Sequence, residues 1–264
     1  MLTQLIRFFL SGFIFPGITP VGLAWGIGLG ILFGAIWLVG YWPPLFKRPW
    51  LWAVLAASAI LPWAAASFIQ IPLQAWTGQA LGYFWDQKTL MRWILLAGIP
   101  QILLSGLVQE GAKLLPTVIY WLRSGRTLEP KVGLVIGAVA GAGFGVFEAV
   151  WAHNRVFAQG WTWAATQTAG LVALAPFWER FFVVGLHIAV AGLGGYGLAK
   201  GRGWQFYLLA SLGHALANYA AVLAQARVVN VFGLEAYIAI VAVVFTAIAL
   251  SLRWRKPKAP TKGN

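Results

Sequence analysis

Seven apolar runs constrain the fold more than any other feature of this sequence. They lie near residues 19–42, 50–69, 92–122, 131–152, 176–199, 203–224 and 232–252, and about 20 such residues carry a helix across a bilayer. Within lipid a helix satisfies every backbone N–H and C=O in its own segment, so the runs predict spanning helices. The expectation is an all-α, polytopic membrane helical bundle of about seven transmembrane helices, with residues 1–264 forming a single integral membrane domain. A mean hydropathy of +0.77 and a charged fraction of 9% agree, since soluble domains carry about 25% charged residues. The opening stretch MLTQLIRFFLSGFIFPGI (1–18) looks like a secretory signal, but no cleavage site of small residues follows it. An N-terminal interfacial or half-spanning helix is expected there.

The net charge of +13, from 19 Lys and Arg against 6 acids, does not point to nucleic acid. The basic residues form short clusters between spans: Lys47 and Arg48 after the first, Arg123, Arg126 and Lys131 after the third, Lys200 and Arg202 after the fifth, and the tail RWRKPKAPTKGN (253–264) after the seventh. Alternating spans put all four clusters on one side, which the positive-inside rule makes cytoplasmic together with the C-terminus. A bacterial inner membrane suits the short tail and loops. The opposite connections, 70–91, 153–175 and 225–231, and their edges hold Trp76, Trp85, Trp161, Trp163 and Trp178, which read as interfacial anchors. Residues 71–89 have a helical pattern and are expected along the outer surface, with Asp86 a solvated loop acid. There is no cysteine, so thiol nucleophiles, thiolate ligands and disulfides are all excluded.

Two spans carry glycine at every fourth position: Gly22, Gly26, Gly30 and Gly34 in the first, Gly133, Gly137, Gly141 and Gly145 in the fourth. That spacing lines one stripe of a helix with residues that let a neighbouring backbone approach closely.

An ionisable group inside a span is costly enough to mark function. Glu110 and Lys113 lie in span 3, Glu148 in span 4, His187 in span 5, and His214 with Asn218 in span 6. Glu110 is 13 residues from Arg123, Glu148 is 17 from Lys131, His187 is 13 from Lys200, and His214 and Asn218 are 12 and 16 from Arg202. At about 1.5 Å per residue these groups share a layer roughly 18–25 Å from the basic edge, as one site requires. Glu110 and Lys113 (i,i+3) and His214 and Asn218 (i,i+4) each lie on one helix face. Phe144, one turn before Glu148, could wall the pocket, and Arg180, on the face of His187, could support it. Glu179 suits the first turn of its helix, where an acid complements the dipole. His153, Glu129 and Glu235 fall at span ends or in loops and are expected to be solvated.

A carboxylate beside a histidine can activate water as a general base, while a second histidine and an amide stabilise an oxyanion. Such a set suits hydrolysis of an amide bond. Glu148, His187 and His214 would equally offer three zinc ligands, with Glu110 as base, although no HExxH motif is present. The same groups could relay protons in a coupled transporter, or survive as the degenerate site of a non-catalytic scaffold.

The segments QEGAK (109–113), FGVFE (144–148), His187 and HALAN (214–218) resemble, in order and spacing, the motifs of the PrsW and CAAX-protease group of intramembrane proteases. GAGFGVFEA, ERFFVVGLH and ASLGHALANY are most similar to its YhfC-like branch. The resemblance covers residues 100–220 or so and implies an intramembrane endopeptidase acting on a membrane protein or peptide in the lipid bilayer. It implies catalytic roles for Glu110, Glu148, His187, His214 and Asn218, supported by Lys113, Phe144 and Arg180. Glu110 with a histidine would activate water, and His214 with Asn218 would form the oxyanion site. The group has also been described as metalloproteases, so zinc is an open cofactor. Gln109 stands where the motif's first glutamate is expected, which leaves Glu110 as the essential acid.

Overall fold

The computed structural model describes residues 14–255. Most of the N-terminal segment and of the basic tail lie outside the described residues. Seven long helices account for the seven runs: α1 (Pro20–Val39), α2 (Trp50–Phe84), α3 (Ile99–Arg123), α4 (Pro130–Ala158), α5 (Ala175–Ala199), α6 (Gly203–Gln225) and α7 (Val231–Trp254). No strand occurs among the described residues. Helix starts follow local chemistry. Thr19 Oγ1 accepts from the Gly22 amide at 3.0 Å, with Pro20 filling the position whose amide would be unpaired, and Asn230 caps α7 through the Gly233 amide at 2.9 Å; both are side-chain caps of the expected type.

The second helix departs from expectation. Residues 71–84 continue α2 instead of lying separately on the surface, after a π-helical stretch at Ala66–Gln70. A π turn re-aims the side chains that follow it, and here Gln70 is turned inward. Asp86 then caps a short helix, Gln87–Arg92, its Oδ1 accepting from the Thr89 amide at 2.6 Å.

Helices α4 and α5 form the centre and are buried along most of their length, whereas the other five leave most of their apolar surface exposed. Both glycine ladders meet α4. A Cβ at Gly133, Gly137 or Gly141 would strike the carbonyl oxygens of Gly195, Ala191 or His187 in α5, so these positions need glycine for the two backbones to touch. The α1 ladder rests on the opposite flank of α4, against Val146, Val150, Asn154 and Phe157. Helices α3 and α6 pack together beside this centre, α2 lies along α3 and α4, and α7 lies along α5 and α6. At one end Lys131 Nζ donates to the Arg255 carbonyl at 2.7 Å, and Arg253 Nε to the Tyr41 carbonyl at 2.9 Å. The ends of α1 and α7 and the start of α4 therefore share the basic end, as the alternation of charge clusters requires. Trp76, Trp85, Trp163 and Trp178 are exposed, and Trp161 is half-buried.

Candidate active site

The four central and flanking helices α3–α6 each bring polar side chains to one buried point. On α3, Glu110 and Lys113 are both fully buried and form an ion pair, Nζ to Oε1, at 2.5 Å. Glu110 Oε1 also lies 2.7 Å from His214 Nδ1 on α6. Lys113 Nζ reaches a third group, His187 Nδ1 on α5, at 2.9 Å. His187 Nε2 in turn lies 3.0 Å from Glu148 Oε2 on α4, and the Arg180 Nη1 pairs with the same oxygen at 3.1 Å.

This network assigns the tautomers. An ammonium only donates and a carboxylate only accepts, so His187 Nδ1 accepts from Lys113 and its Nε2–H donates to Glu148. By the same reasoning His214 Nδ1–H donates to Glu110. Oxygen Oε2 of Glu110 is fully buried and has no hydrogen-bond partner; such an atom, costly when unpaired, marks a place for a water or substrate group. Phe144 walls the cluster, edge-on to His187 with ring centroids 5.0 Å apart and with the Lys113 ammonium 5.1 Å from its ring centre.

The carboxylate oxygen of Glu110 and one nitrogen each of His187 and His214 lie within 4.8 Å of one another and could hold a metal ion. This set contains Glu110 where the sequence suggested Glu148, whose carboxylate is held by Arg180 and His187.

Asn218 does not join the cluster. Its Nδ2 donates to Ser105 Oγ on α3 at 2.8 Å, and both residues line an adjoining cavity of 350 Å³ with Gln74, Glu179 and Arg180. A larger apolar groove of 670 Å³ beside Trp25, Trp161 and Trp163 shares no residue with that cavity.

Two acid–base residues expected to be solvated are buried. His153 is enclosed by Phe177, at 5.3 Å between centroids, and Phe33, at 5.5 Å. Glu235, in the first turns of α7, is 9% exposed, with Oε2 unpartnered. Glu129 is exposed, as expected. Sequence reasoning missed a neutral polar stripe on α3. Gln101, Ser105 and Gln109 recur every four residues there; Gln109 Nε2 donates to Gln70 Oε1 at 2.9 Å, and Gln101 and Gln74 exchange bonds with each other's carbonyls at 2.8–2.9 Å. The four-residue spacing of these amides, and of Gln70 and Gln74 on α2, was the available signal.

A family model described as PrsW family intramembrane metalloprotease matches residues 47–249, which span all four helices of the cluster. No curated protein and no solved structure matches the chain.

Proposed function

Because the chain belongs to the PrsW family of intramembrane metalloproteases, we propose that Glu110 and His214 are the centre at which it hydrolyses a peptide bond of a membrane-embedded or membrane-adjacent substrate. The protein is an integral membrane protein, with seven helices among its described residues long and apolar enough to span, and an intramembrane protease. The observation that carries the assignment of the centre is the buried, unpartnered Oε2 of Glu110, held beside a histidine whose proton position is fixed.

Water bound at Oε2 gives its proton to Glu110 as its oxygen attacks the carbonyl carbon, and the proton passes to the amine nitrogen as the C–N bond breaks. A positioned base of this kind contributes about 10²–10⁴-fold. Lys113 pairs with Glu110 and ties it to His187. Glu148 and Arg180 fix the orientation of His187, as partners behind a functional histidine do. Asn218, in the adjoining cavity, offers its amide to a substrate carbonyl.

The donors Glu110, His187 and His214 fit a zinc ion in type and spacing, provided that the Lys113 ammonium, now bonded to two of them, withdraws. A metal bound there would polarise the carbonyl and acidify water. GAGFGVFEA and ERFFVVGLH favour the YhfC-like branch of the family, and the basic clusters favour a bacterial inner membrane with a cytoplasmic C-terminus.

The test uses purified protein in detergent against a library of transmembrane peptides, with metal content measured on the same samples. Glu110→Gln is expected to lower cleavage at least 100-fold while leaving the fold intact. Undiminished cleavage by that variant would remove Glu110 from the mechanism. Zinc lost together with cleavage in His187→Ala/His214→Ala would favour the metal-assisted form, and cleavage by metal-free protein the glutamate form.

A further inference from the structure

A peptide bond inside a transmembrane helix is protected by the helix itself, because every backbone N–H and C=O is bonded within the segment. Cutting it requires a local loss of helix, and each backbone group then left unpaired in lipid is strongly unfavourable. A protease working in the membrane therefore has to supply replacement partners beside its reacting groups. The 350 Å³ cavity adjoining the cluster has side chains suited to that task.

The charged side chains on its wall are already paired, Arg180 with both Glu148 and Glu179. The unused hydrogen-bonding groups are neutral. Ser105 Oγ accepts from Asn218 Nδ2 at 2.8 Å and from Gln109 Nε2 at 3.4 Å, which occupies both lone pairs of the hydroxyl. Its own hydrogen has no acceptor among the described residues. Asn218 gives one Nδ2 hydrogen to Ser105, and its Oδ1 accepts nothing among the described residues. A donor and an acceptor therefore stand side by side on the cavity wall, the complement of a peptide group with its one C=O and one N–H. Joining α3 to α6 needs only the Ser105–Asn218 bond; the unused donor and acceptor are beyond that need. The wall is short at Val183, Ala217 and Ala220, so a backbone can come up to both groups.

We propose that this cavity binds a short non-helical stretch of the substrate backbone close to the bond that is cut, Ser105 donating to a substrate C=O and Asn218 Oδ1 accepting from a substrate N–H. The spacing along the helices supports this. Ser105 precedes Glu110 by five residues on α3, and Asn218 follows His214 by four on α6, which runs antiparallel to α3. Both are displaced from the cluster to the same side, away from the basic end, by about 6–8 Å. An extended chain covers that distance in about two residues. A helical substrate keeps its N–H and C=O groups for itself, so the cavity selects segments that unwind readily and carry small side chains. The position beside the cut bond rests on the protease reading above, but the backbone cleft itself does not.

The experiment measures binding to the Glu110→Gln protein and cleavage by the wild type. A transmembrane peptide is made with a Gly-Gly or an Ala-Ala pair at successive positions, and with single backbone esters at the same positions. Both pairs fit the short wall, but glycine is the weaker helix former. At the favoured position the glycine peptide is expected to bind about 10-fold more tightly, within the range that two helix-propensity differences allow. An ester there removes one N–H and weakens one C=O. Its penalty should be about 3–10-fold larger for Glu110→Gln than for the same protein with Ser105→Ala or Asn218→Leu added, the range of one hydrogen bond. Should the double variants fail to fold, the glycine-to-alanine ratio on the intact cavity still decides the matter. Alanine peptides that bind as tightly as glycine peptides at every position, or ester penalties unchanged by both substitutions, overturn the proposal. A glycine preference with ester coupling but no cleavage by the wild type would keep the cleft and remove the protease mechanism; cleavage with neither would do the reverse.

Discussion

Replacing Lys113 by methionine tests the electrostatic centre of the site most directly. Both members of the Glu110–Lys113 pair are fully buried, and the ammonium makes two hydrogen bonds, at 2.5 Å to Glu110 and 2.9 Å to His187. Methionine has a similar volume, so the packing loss is small, under about 1.5 kcal/mol. The main effect is that Glu110 keeps its charge in a site with no exposure and only His214 to answer it. Removing one partner of a buried pair costs about 3–5 kcal/mol, whereas removing both is often close to neutral. Lys113→Met should therefore shift the unfolding equilibrium by a factor of about 10²–10³ or more, and Glu110→Gln in the same chain should recover much of the loss. Equilibrium unfolding in mixed micelles of increasing SDS fraction, run on the wild type, both single variants and the double variant, gives the coupling term. A coupling of about 2 kcal/mol or more is expected for groups in direct contact. If Lys113→Met costs under about 1 kcal/mol and the two substitutions simply add, the pair does not hold the site together.

The remaining predictions concern the scaffold and the loop beyond α2. Gly141→Ala places a Cβ against the His187 backbone, which has no flexible atom to give way, and should cost about 1–3 kcal/mol and lower activity by moving His187; Gly28→Ala, with nothing within 4 Å of the added atom, should be neutral or slightly stabilising in the same SDS titration. Equal effects at the two sites would refute the interlock of α4 and α5. Asp86 has its carboxyl pKa lowered by hydrogen bonds from the Thr89 backbone and side chain. Because the folded value is the lower one, the cap contributes above the ordinary carboxyl value and is lost as pH falls through the folded value. The protection factor of the Thr89 amide should therefore drop on acidification in the wild type and not in Asp86→Ala.

Much of this arrangement is legible in the sequence because lipid makes the rules strict. Run length fixed the number of spans, and the four-residue glycine spacing marked the faces along which α1, α4 and α5 touch. Depth counting placed Glu110, Glu148, His187 and His214 in one layer, and the structure joins them by hydrogen bonds. What escaped depends on rotation about a helix axis, which span length does not encode. Glu235 and His153 sit near span ends, where a carboxylate or imidazole turned one way meets water and turned the other meets protein. The π stretch at Ala66–Gln70 likewise changes the phase of α2 with no glycine or proline inside it to signal the change. Asn218 shares a face with His214, yet it is a turn nearer the cavity and pairs with Ser105, a neutral hydroxyl that carries no ionisable signal in the sequence.

The hydrogen bonds of the site divide along a seam. Helices α4 and α5 touch backbone to backbone at Gly141 and His187, and α3 and α6 do the same at Gly106 and Ser211. Within the first pair lie the His187–Glu148 and Arg180–Glu148 contacts; within the second lie Glu110–His214 and Ser105–Asn218. Between the pairs, among the described residues, one side-chain hydrogen bond runs, Lys113 to His187, together with ring contacts of His187 with His214 and of Lys113 with Phe144. Across that same seam α6 meets α5 through side-chain packing, such as Val190 against Gly213, which yields more readily than a backbone contact. A peptide entering from the cavity needs room beside Glu110. Separation along the seam would provide that room while both acid–histidine pairs stay assembled, and of the site's hydrogen bonds between described residues it would break only the one made by Lys113 to His187. Lys113, which bonds Glu110 on one side of the seam and His187 on the other, is thus the one hydrogen-bonding side chain that such a separation would have to release.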